Sequence, residues 1–420
     1  MGDKVSNIKL LNDREILQCN NFIETNKKII DTLTFARENI NFYKNYFSNN
    51  TSVKNEKLTL ADFPIMDKEK FKFNYNKLIF DNLHYNTFEV STTGSTGIPA
   101  KTVWSNKEYN IATIDVWNVR KQFGANVTDS IIYFLGLPQA ENGEQFKIIK
   151  KGNNFELTRI FTYEAVETYI DLINSLKGVI LYGSPSTIYH FSNSLNEFGF
   201  NPPQQINCIE LNGEMLTEIE YETIKNTFKL PILNNYGCRE MWPIALTCPH
   251  GTMHVRNNLV WVESTVNKDL LITSLIKRAQ PLINYMVGDL GEISYGECTC
   301  GLTSQIITKL VGRKNDYIFI NSKRKEHWAV ITKPLTNYII ENNDVINEFF
   351  IHQKTDYSVD VYLIPGKKFT EFVIHDVKNL FLERYPNLII NICLTDSIKQ
   401  NQRGKRIYLQ CDINDKMRCT

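Results

Sequence analysis

Residues 178–213 read GVILYGSPSTIYHFSNSLNEFGFNPPQQINCIELNG and alternate between two kinds of segment. GVILYG and INCIELNG are short and largely apolar, as buried strands are. The stretch from 185 to 197 between them has the length and spacing of an amphipathic helix. A strand, a helix and a second strand in this order predict a βαβ unit whose two strands are parallel.

The alternation continues on both sides of this unit. SIIYFLG (130–136) and PILNNYG (231–237) read as further strands, and residues 162–176 read as a helix. Capping boxes at Ser105 and Thr217, each followed three residues later by a glutamate, begin two more helices. Because ligands of parallel sheets bind outside the carboxyl ends of the strands, the loops after these strands are where we expect the chemistry.

The character of the chain changes after the alternating region. Residues 258–275 and 282–295 read as hairpin-like strands, and the charged, turn-forming segment Gly312–Asp316 separates them from mixed strands and helices. We predict an α/β fold with a large N-terminal domain of βαβ-type sheets and a hairpin-rich subdomain, residues 1–312. A small α+β C-terminal domain, residues 313–420, follows it.

Composition and charge exclude several classes of protein. The chain has 420 residues, of which 42% are apolar and 22% charged, as in globular proteins. A formal net charge of +1 gives no electrostatic reason to expect a nucleic-acid partner. The sequence shows neither a secretory signal nor a long apolar run for a membrane span. Nine scattered cysteines indicate a reducing compartment, so we predict a cytoplasmic protein.

One glycine- and hydroxyl-rich loop, STTGSTGIPAK (91–101), is open to two interpretations. It is either a flexible linker or a cradle for a phosphate chain, since glycines let backbone N–H groups approach an anion closely. It does not match the Walker A pattern. The loop alone does not decide between the two.

Four further motifs follow this loop in a fixed order along the chain. They are NNYGCRE (234–240), YMVGDLGEI (285–293), LVGRKND (310–316) and NQRGKRIYL (401–409). This succession resembles the adenylate-forming superfamily of acyl- and aryl-CoA synthetases, adenylation domains and luciferases. It most resembles the phenylacetate–CoA ligase-like branch, which carries segments similar to PIMDKEKF (64–71) and CTCGLTSQIITKLVGRKND (298–316).

The resemblance implies an ATP site. The β- and γ-phosphates would be held by Ser91, Thr92, Thr93, Gly94, Ser95, Thr96 and Gly97. Tyr236 would stack on adenine, and the groups near the edge of the base would be Asn235, Gly237 and the backbone of Gly213 and Glu214.

The remaining roles implied by the resemblance belong to charged residues. Glu240 would hold Mg²⁺, Asp289 would bind both ribose hydroxyls, and Arg313 would also contact the ribose. Lys405 would reach in from a mobile C-terminal domain and bridge carboxylate and phosphate oxygens during adenylation. Arg239 departs from the family pattern, which has Thr or Ser there; its guanidinium can still bind phosphate, but its bulk alters the site.

The resemblance implies an acid–thiol ligase. ATP would activate a carboxylic acid to an acyl-AMP, and coenzyme A would then take the acyl group as a thioester. Tyr133–Gln139, Tyr182–Pro185 and Cys238–Trp242 would line the acid pocket, whose aromatic residues favour an aryl or arylacetic acid. Two alternatives remain: transfer to a carrier-protein phosphopantetheine or a protein cysteine, and a degenerate protein that binds without adenylating.

Two short chelating pairs, Cys248-Pro-His250 and Cys298-Thr-Cys300, predict a metal site. Three thiolates and one imidazole make the closed tetrahedral arrangement of structural zinc. His254 is a rival fourth ligand, although TMHV around it alternates like a strand and would pack the ring instead. We therefore predict a structural Zn²⁺ held by Cys248, His250, Cys298 and Cys300.

Overall fold

The computed structural model describes residues 22–50, 58–82, 86–91, 101–134, 146–313, 317–321, 325–342, 344–398 and 409–413. Its α-helices are α1 (Phe22–Asn39), α2 (Asn41–Asn49), α3 (Lys68–Phe73), α4 (Asn106–Gln122), α5 (Tyr163–Asn174), α6 (Pro185–Phe198), α7 (Glu218–Phe228), α8 (Trp328–Glu341) and α9 (Glu371–Leu382). Within the described residues, Leu60–Asp62 and Tyr75–Leu78 are short 3-10 helices.

The strands of the first half include all of the parallel ones of the large sheet. They are β1 (Thr87–Ser91), β2 (Lys101–Ser105), β3 (Ser130–Phe134), β4 (Ile148–Lys151), β5 (Asn154–Leu157), β6 (Val179–Gly183), β7 (Ile206–Asn212), β8 (Ile232–Tyr236), β9 (Ala245–Thr247) and β10 (Met253–Val255).

The second half of the chain is richer in hairpins. Its strands are β11 (Val260–Ser264), β12 (Asp269–Ser274), β13 (Tyr285–Glu297), β14 (Thr303–Arg313), β15 (Tyr317–Phe319), β16 (Lys325–His327), β17 (Ile346–Gln353), β18 (Val359–Pro365), β19 (Ile390–Leu394) and β20 (Leu409–Cys411).

Within the described ranges, the largest sheet has twelve strands in the order β11-β12-β13-β14-β10-β9-β8-β7-β6-β3-β5-β4. Its strands β5, β3, β6, β7 and β8 are parallel neighbours. The remaining neighbours pair antiparallel. The predicted α/β class, with βαβ units followed by hairpins, is therefore confirmed.

Local sequence signals account for the starts and ends of the crossover helices. Both predicted capping boxes form, at the N-termini of α4 and α7. Ser184 caps α6, whose first residue is Pro185, and Gly199 ends it in the left-handed conformation with φ 75°. These devices satisfy terminal backbone groups and favour proline at the start and glycine after the end of a helix.

Helices cover both faces of the parallel strands. One face packs against α4 through a core that includes Val116, Ile131 and Leu233. The other face packs against α5, α6 and α7 through a second core that includes Tyr169 and Phe191. Burial on both faces explains why these strands read as continuous apolar runs in the sequence.

The residues from 317 onward form a core of their own. Strands β19-β18-β17-β20 make a four-stranded sheet, and α8 and α9 pack with it around residues such as Leu335, Val361 and Val377. The predicted boundary near residue 312 and the mobility of the C-terminal part stay predictions. Among the helices of the described ranges, none has the length and apolar character needed to span a bilayer.

Candidate active site

The loop predicted to bind phosphates joins the two strands of a hairpin. β1 and β2 pair antiparallel, and the pair closest to the loop is Ser91 with Lys101. Thr92–Gly97 lie outside the described residues. The Lys101 ammonium lies 3.0 Å from Glu89 Oε2, and the Tyr75 hydroxyl donates to the other oxygen of that carboxylate at 2.7 Å. The hairpin thus fixes both ends of the loop.

The carboxyl ends of β7 and β8 bring the predicted adenine-side residues together. Asn212 and Asn235 are register partners, so Gly213, just after β7, lies beside Tyr236, the last residue of β8. Gly213 has φ 82°, a left-handed conformation that favours glycine. Glu214 is held by the Ser186 hydroxyl, which donates to its Oε2 at 2.6 Å.

The side chain of Asn235 is hydrogen-bonded to a buried ion pair. Its amide donates to Glu210 Oε1 at 2.7 Å, and Arg120 Nε donates to the other oxygen of Glu210 at 2.6 Å. Burial lowers the pKa of Arg120, but the adjacent Glu210 carboxylate raises it by more, so the guanidinium stays charged. Tyr133 and Tyr182 lie beside this pair on the same face of the sheet, in contact with each other.

Tyr236 and Asp289 are in direct contact. The Tyr236 hydroxyl donates to Asp289 Oδ2 at 2.8 Å. Asp289 lies on β13 opposite Arg313 of β14, so the backbones of both predicted ribose-binding residues meet there. The side chain of Arg313 lies outside what the structure describes.

Glu240 lies in the loop from Tyr236 to Ile244, which follows β8. Glu240 is buried, and its Oε1 accepts a hydrogen bond from the Tyr285 hydroxyl at 2.8 Å. Burial and the Glu240 carboxylate raise the pKa of Tyr285, so the phenol keeps its proton and remains a donor. Arg239 is exposed, and its backbone carbonyl accepts from Trp104 Nε1 at 3.1 Å.

A lysine that the sequence did not single out holds the same loop. Lys277 has 0% of its surface exposed, and its Nζ donates to Glu240 O and to Thr102 Oγ1, each at 2.9 Å. The ammonium also lies 4.4 Å from the ring centre of Trp104. Burial lowers the pKa of Lys277 to about 8.

The four side chains of a Cys/His cluster lie at a different end of the sheet. Ligand atoms of Cys248, His254, Cys298 and Cys300 all lie within 4.8 Å of one another. His254 Nδ1 lies 2.8 Å from Ser304 Oγ, and its Nε2 faces the Cys300 sulfur at 3.4 Å. In protein metal sites, one ring nitrogen of a histidine ligand usually has a hydrogen-bond partner, and this bond orients the other ring nitrogen toward the metal.

Two equivalent turns carry the cysteines. In each turn the cysteine carbonyl accepts from the glycine three residues later, Gly251 after Cys248 and Gly301 after Cys298, at 2.8 and 2.9 Å. Both glycines have φ 84°, so CPHG and CTCG have the same backbone form. The repeated C-x-x-G spacing was the signal in the sequence for these paired turns.

The structure differs from the prediction in the fourth ligand of this cluster. His250 is exposed and lies outside the cluster, whereas His254 is 1% exposed and inside it. His254 pairs with Ile306 of β14, which carries the ring toward the second turn. We predicted that the strand would pack this ring rather than present it as a ligand, and that was the reason for preferring His250.

Some predicted residues have no described position. Thr92, Thr93, Gly94, Ser95, Thr96, Gly97 and Lys405 lie outside the described residues. Residues 135–139 of the predicted acid pocket also lie outside them. Among the described residues, Asn235, Tyr236 and Asp289 lie near one another, Glu240 follows in the loop after β8, and the Cys/His cluster lies apart from them.

No family model matches the chain. Protein CapK of Staphylococcus aureus is 23% identical over 377 residues, covering 84% of this chain and 80% of that protein. Phenylacetate-coenzyme A ligase of Thermus thermophilus is 41% identical over 51 residues, 12% of each chain.

Solved structures share the fold over most of the chain. The 2-hydroxyisobutyryl-CoA ligase in its postadenylation state, in complex with 2-HIB-AMP, superposes with a TM-score of 0.70 at 13% identity. The match covers 92% of this chain and 89% of that one. The chain therefore has the fold of adenylate-forming acyl-CoA ligases, and the resemblance inferred from its motifs is confirmed at that level.

Proposed function

We propose that this protein is an acid–thiol ligase that activates a carboxylic acid with ATP and transfers the acyl group to coenzyme A. The observation that carries the proposal is the convergence of Tyr236, Asp289 and Glu240 at one edge of the sheet. These are the residues to which the motifs assign adenine, ribose and Mg²⁺. They meet in a fold shared with a ligase whose structure contains an acyl-AMP.

The reaction has two balanced steps. A carboxylate oxygen of the acid attacks the α-phosphorus of ATP, the bond to the β-phosphate oxygen breaks, and pyrophosphate leaves. The thiol of coenzyme A then loses its proton and attacks the acyl carbon, and AMP leaves as the thioester forms. Since the protein forms no covalent bond, its contribution is positioning and the stabilisation of charge.

The residues around the site fit the first step. Glu240 would hold Mg²⁺, which supplies neutralisation of the phosphate charge when it is bound. Tyr285 orients the carboxylate by donating to one of its oxygens, and the second oxygen remains for the metal. Ser91 begins the loop that would hold the terminal phosphates, and Lys405 would contact the acid and the α-phosphate.

Arg239 replaces the hydroxyl residue of the family pattern, and its exposed side chain suits a phosphate ligand. Its backbone is held where the carbonyl accepts a hydrogen bond from Trp104 Nε1. A guanidinium presents paired donors to phosphate oxygens. We propose that Arg239 contacts a phosphate of ATP in place of the hydroxyl.

The acid is proposed to be aryl or arylacetic. Tyr133 and Tyr182 on β3 and β6, and Trp242 after Glu240, stand along the face covered by α4. Tyr109 of α4 stacks on Trp242 with ring centres 5.8 Å apart. Flat aromatic walls of this kind pack well against another ring.

The Cys/His cluster is proposed to hold a structural zinc ion. Three thiolates and one imidazole form a closed tetrahedral set, and the separations of their ligand atoms suit such a site. His254 donates or accepts at Ser304 through Nδ1, which leaves Nε2 for the metal. Zinc there would join the loop after β9 to the turn between β13 and β14.

Pyrophosphate release across a panel of carboxylic acids tests the proposed function. We expect release that depends on an acid and on Mg²⁺, with a thioester formed when coenzyme A is added. Release without a CoA thioester, but with transfer to a phosphopantetheinylated carrier protein, would identify the second acceptor. No release with any acid would contradict the proposal and favour the non-adenylating alternative.

Lys405→Ala tests the proposed role of the C-terminal lysine. Loss of one charge-stabilising group lowers kcat by about 10²–10³-fold in comparable sites, so we expect pyrophosphate release to fall by that factor. Lys378→Ala, which removes an exposed lysine on α9, is the matched control and should retain full activity. Normal turnover in Lys405→Ala would remove that residue from the mechanism.

A further inference from the structure

Lys277 joins two segments that lie far apart in the sequence. Its ammonium donates to Thr102 on β2 and to the carbonyl of Glu240, which are 175 and 37 residues away. An ammonium has three N–H donors; two make these bonds, and the ring of Trp104 lies against the group. The three contacts together hold the lysine head within a closed site.

Burial of this charge is costly and is not offset by a direct carboxylate bond to the ammonium. Both of its hydrogen-bond acceptors are neutral oxygens, and a buried charge is strongly disfavoured unless it is paired or well hydrogen-bonded. A methionine of similar length would fill the same space without that cost. The lysine is therefore best explained by the geometry it imposes on its two partners.

The side chain of Gln280, three residues after Lys277, also binds to β2. Gln280 Oε1 accepts from Thr102 Oγ1 at 3.0 Å and from the Val103 backbone N–H at 2.9 Å. The segment 277–280 therefore holds β2 at three points. Lys277 alone connects this segment through its side chain to Glu240.

These contacts relate two parts of the proposed ATP site. β2 begins at Lys101, directly after the phosphate loop, and Glu240 carries the carboxylate proposed to hold Mg²⁺. We propose that Lys277 is a positioning residue that fixes the separation between the start of β2 and the Glu240 loop, and so sets the affinity of the site for Mg²⁺·ATP. The inference rests on the proposed function, and Lys277 itself touches neither ATP nor the acid.

Lys277→Met in the full chain is the direct test. The substitution keeps the length of the side chain and removes all three donors. Substitution of a residue that orients a metal ligand typically lowers metal affinity by about 10–100-fold. The Mg²⁺ concentration for half-maximal pyrophosphate release should therefore rise by that factor. The rate at saturating Mg²⁺ and ATP should change much less.

A second readout does not depend on turnover. Calorimetric titration with ATP at fixed Mg²⁺ should show weaker binding to Lys277→Met, by a factor that shrinks as Mg²⁺ is raised. A merely structural role would lower the melting temperature and leave the Mg²⁺ requirement of the folded protein unchanged. Unchanged Mg²⁺ dependence in a folded Lys277→Met protein overturns the inference.

Two further variants complete the design. Thr102→Val removes one acceptor and leaves the lysine in place, so we expect a smaller rise in the Mg²⁺ requirement; it also serves if Lys277→Met does not fold. Lys151→Met removes a partly exposed lysine whose ammonium lies 3.2 Å from Glu156 Oε1, far from the Lys277 site in the sequence, and it should behave as the wild type. A Thr102→Val protein with wild-type Mg²⁺ dependence also counts against the inference.

The outcomes for the inference and for the proposed function are distinguishable. Wild-type protein that neither binds Mg²⁺·ATP nor releases pyrophosphate contradicts the proposed function and removes the basis of the inference. Wild-type protein that does both, alongside a Lys277→Met variant with the same Mg²⁺ dependence, contradicts the inference alone.

Discussion

The two ends of the β13–β14 hairpin carry different kinds of side chain. At one end, Asp289 lies opposite Arg313 and accepts a hydrogen bond from Tyr236. At the other end, the strands pair through Glu297 and Thr303, and the turn that follows carries Cys298 and Cys300. Glu297 lies eight positions after Asp289, which is about 26 Å along an extended strand.

The difference lies in how the polar groups are satisfied. At the cluster end, thiols and an imidazole face one another, which suits a closed metal site with no position for a substrate. At the Asp289 end, the carboxylates of Asp289 and Glu240 accept hydrogen bonds from the hydroxyls of Tyr236 and Tyr285. One pair of strands thus links a proposed structural site to a proposed catalytic one, and variants at either end should be separable by measurement.

Cys298→Ser should have the largest effect, because it removes a thiolate from the proposed zinc site. Structural zinc has apparent binding free energies of about 10–16 kcal/mol in small zinc-finger peptides, so loss of the metal should lower the melting temperature strongly. Elemental analysis should show one zinc per wild-type chain and little in the variant. Cys393→Ser on β19, outside the cluster, is the control. Equal metal content in both variants would contradict the site.

Asp115→Asn should destabilise the fold and spare the nucleotide site. Arg256, two residues after His254, donates to both oxygens of Asp115 at 2.6 and 2.9 Å, and both side chains are buried. Breaking a buried ion pair by removing one charge costs about 3–5 kcal/mol. Urea denaturation should show this loss, with KM for ATP unchanged at temperatures where the variant is folded. A shift in KM would show that the two ends are coupled.

Asp289→Ala should weaken ATP binding and leave the zinc content of the protein unchanged. Hydrogen bonds to a charged group contribute about 1.5–3 kcal/mol, so KM for ATP should rise by about 10–150-fold. Glu292→Gln, three residues further along the same strand and exposed to solvent, is the matched control. Zinc content should stay at the wild-type value in both, and an unchanged KM in Asp289→Ala would exclude it from the ribose site.

Lys268→Met should have the smallest effect, because it removes an exposed contact between the two ends. Its ammonium lies 2.7 Å from Glu292, and both side chains are about half exposed to solvent. Exposed ion pairs contribute little and are screened by salt. We expect the melting temperature, zinc content and KM for ATP to match those of the wild type. A change in any of them would mean that the middle of the hairpin transmits an effect to one end.

Local signals in the sequence were sufficient for most of the fold. The capping boxes at Ser105 and Thr217, and Pro185 and Gly199 at the ends of α6, mark helix boundaries within a few neighbouring residues. The apolar runs of the parallel strands follow from burial on both faces. These features require no knowledge of distant contacts, and the structure confirms them.

The site was harder to predict where it depends on distant pairing. The sequence offered His254 only as a rival to His250, and the pairing of β10 with β14 is what places its ring beside Cys300. Lys277 reads as a surface lysine until β2 and the Glu240 loop close over it. The link between Arg120 and Glu210 joins residues 90 positions apart, and nothing near either residue indicates it. Sequence patterns indicate only contacts between residues that are near one another along the chain. These contacts join residues that are far apart in the sequence, so the patterns could not predict them.

The bond between Lys277 and Thr102 also has a consequence for synthesis of the chain. The β1–β2 hairpin is made early, but the side chains that hold Thr102 come from residues 277–280. Contacts of such large sequence separation form slowly, because the intervening chain must be ordered first. A nascent chain that stops short of Lys277 therefore has the β1–β2 hairpin but lacks the side chains that hold Thr102, and the proposed nucleotide site is completed only late in translation.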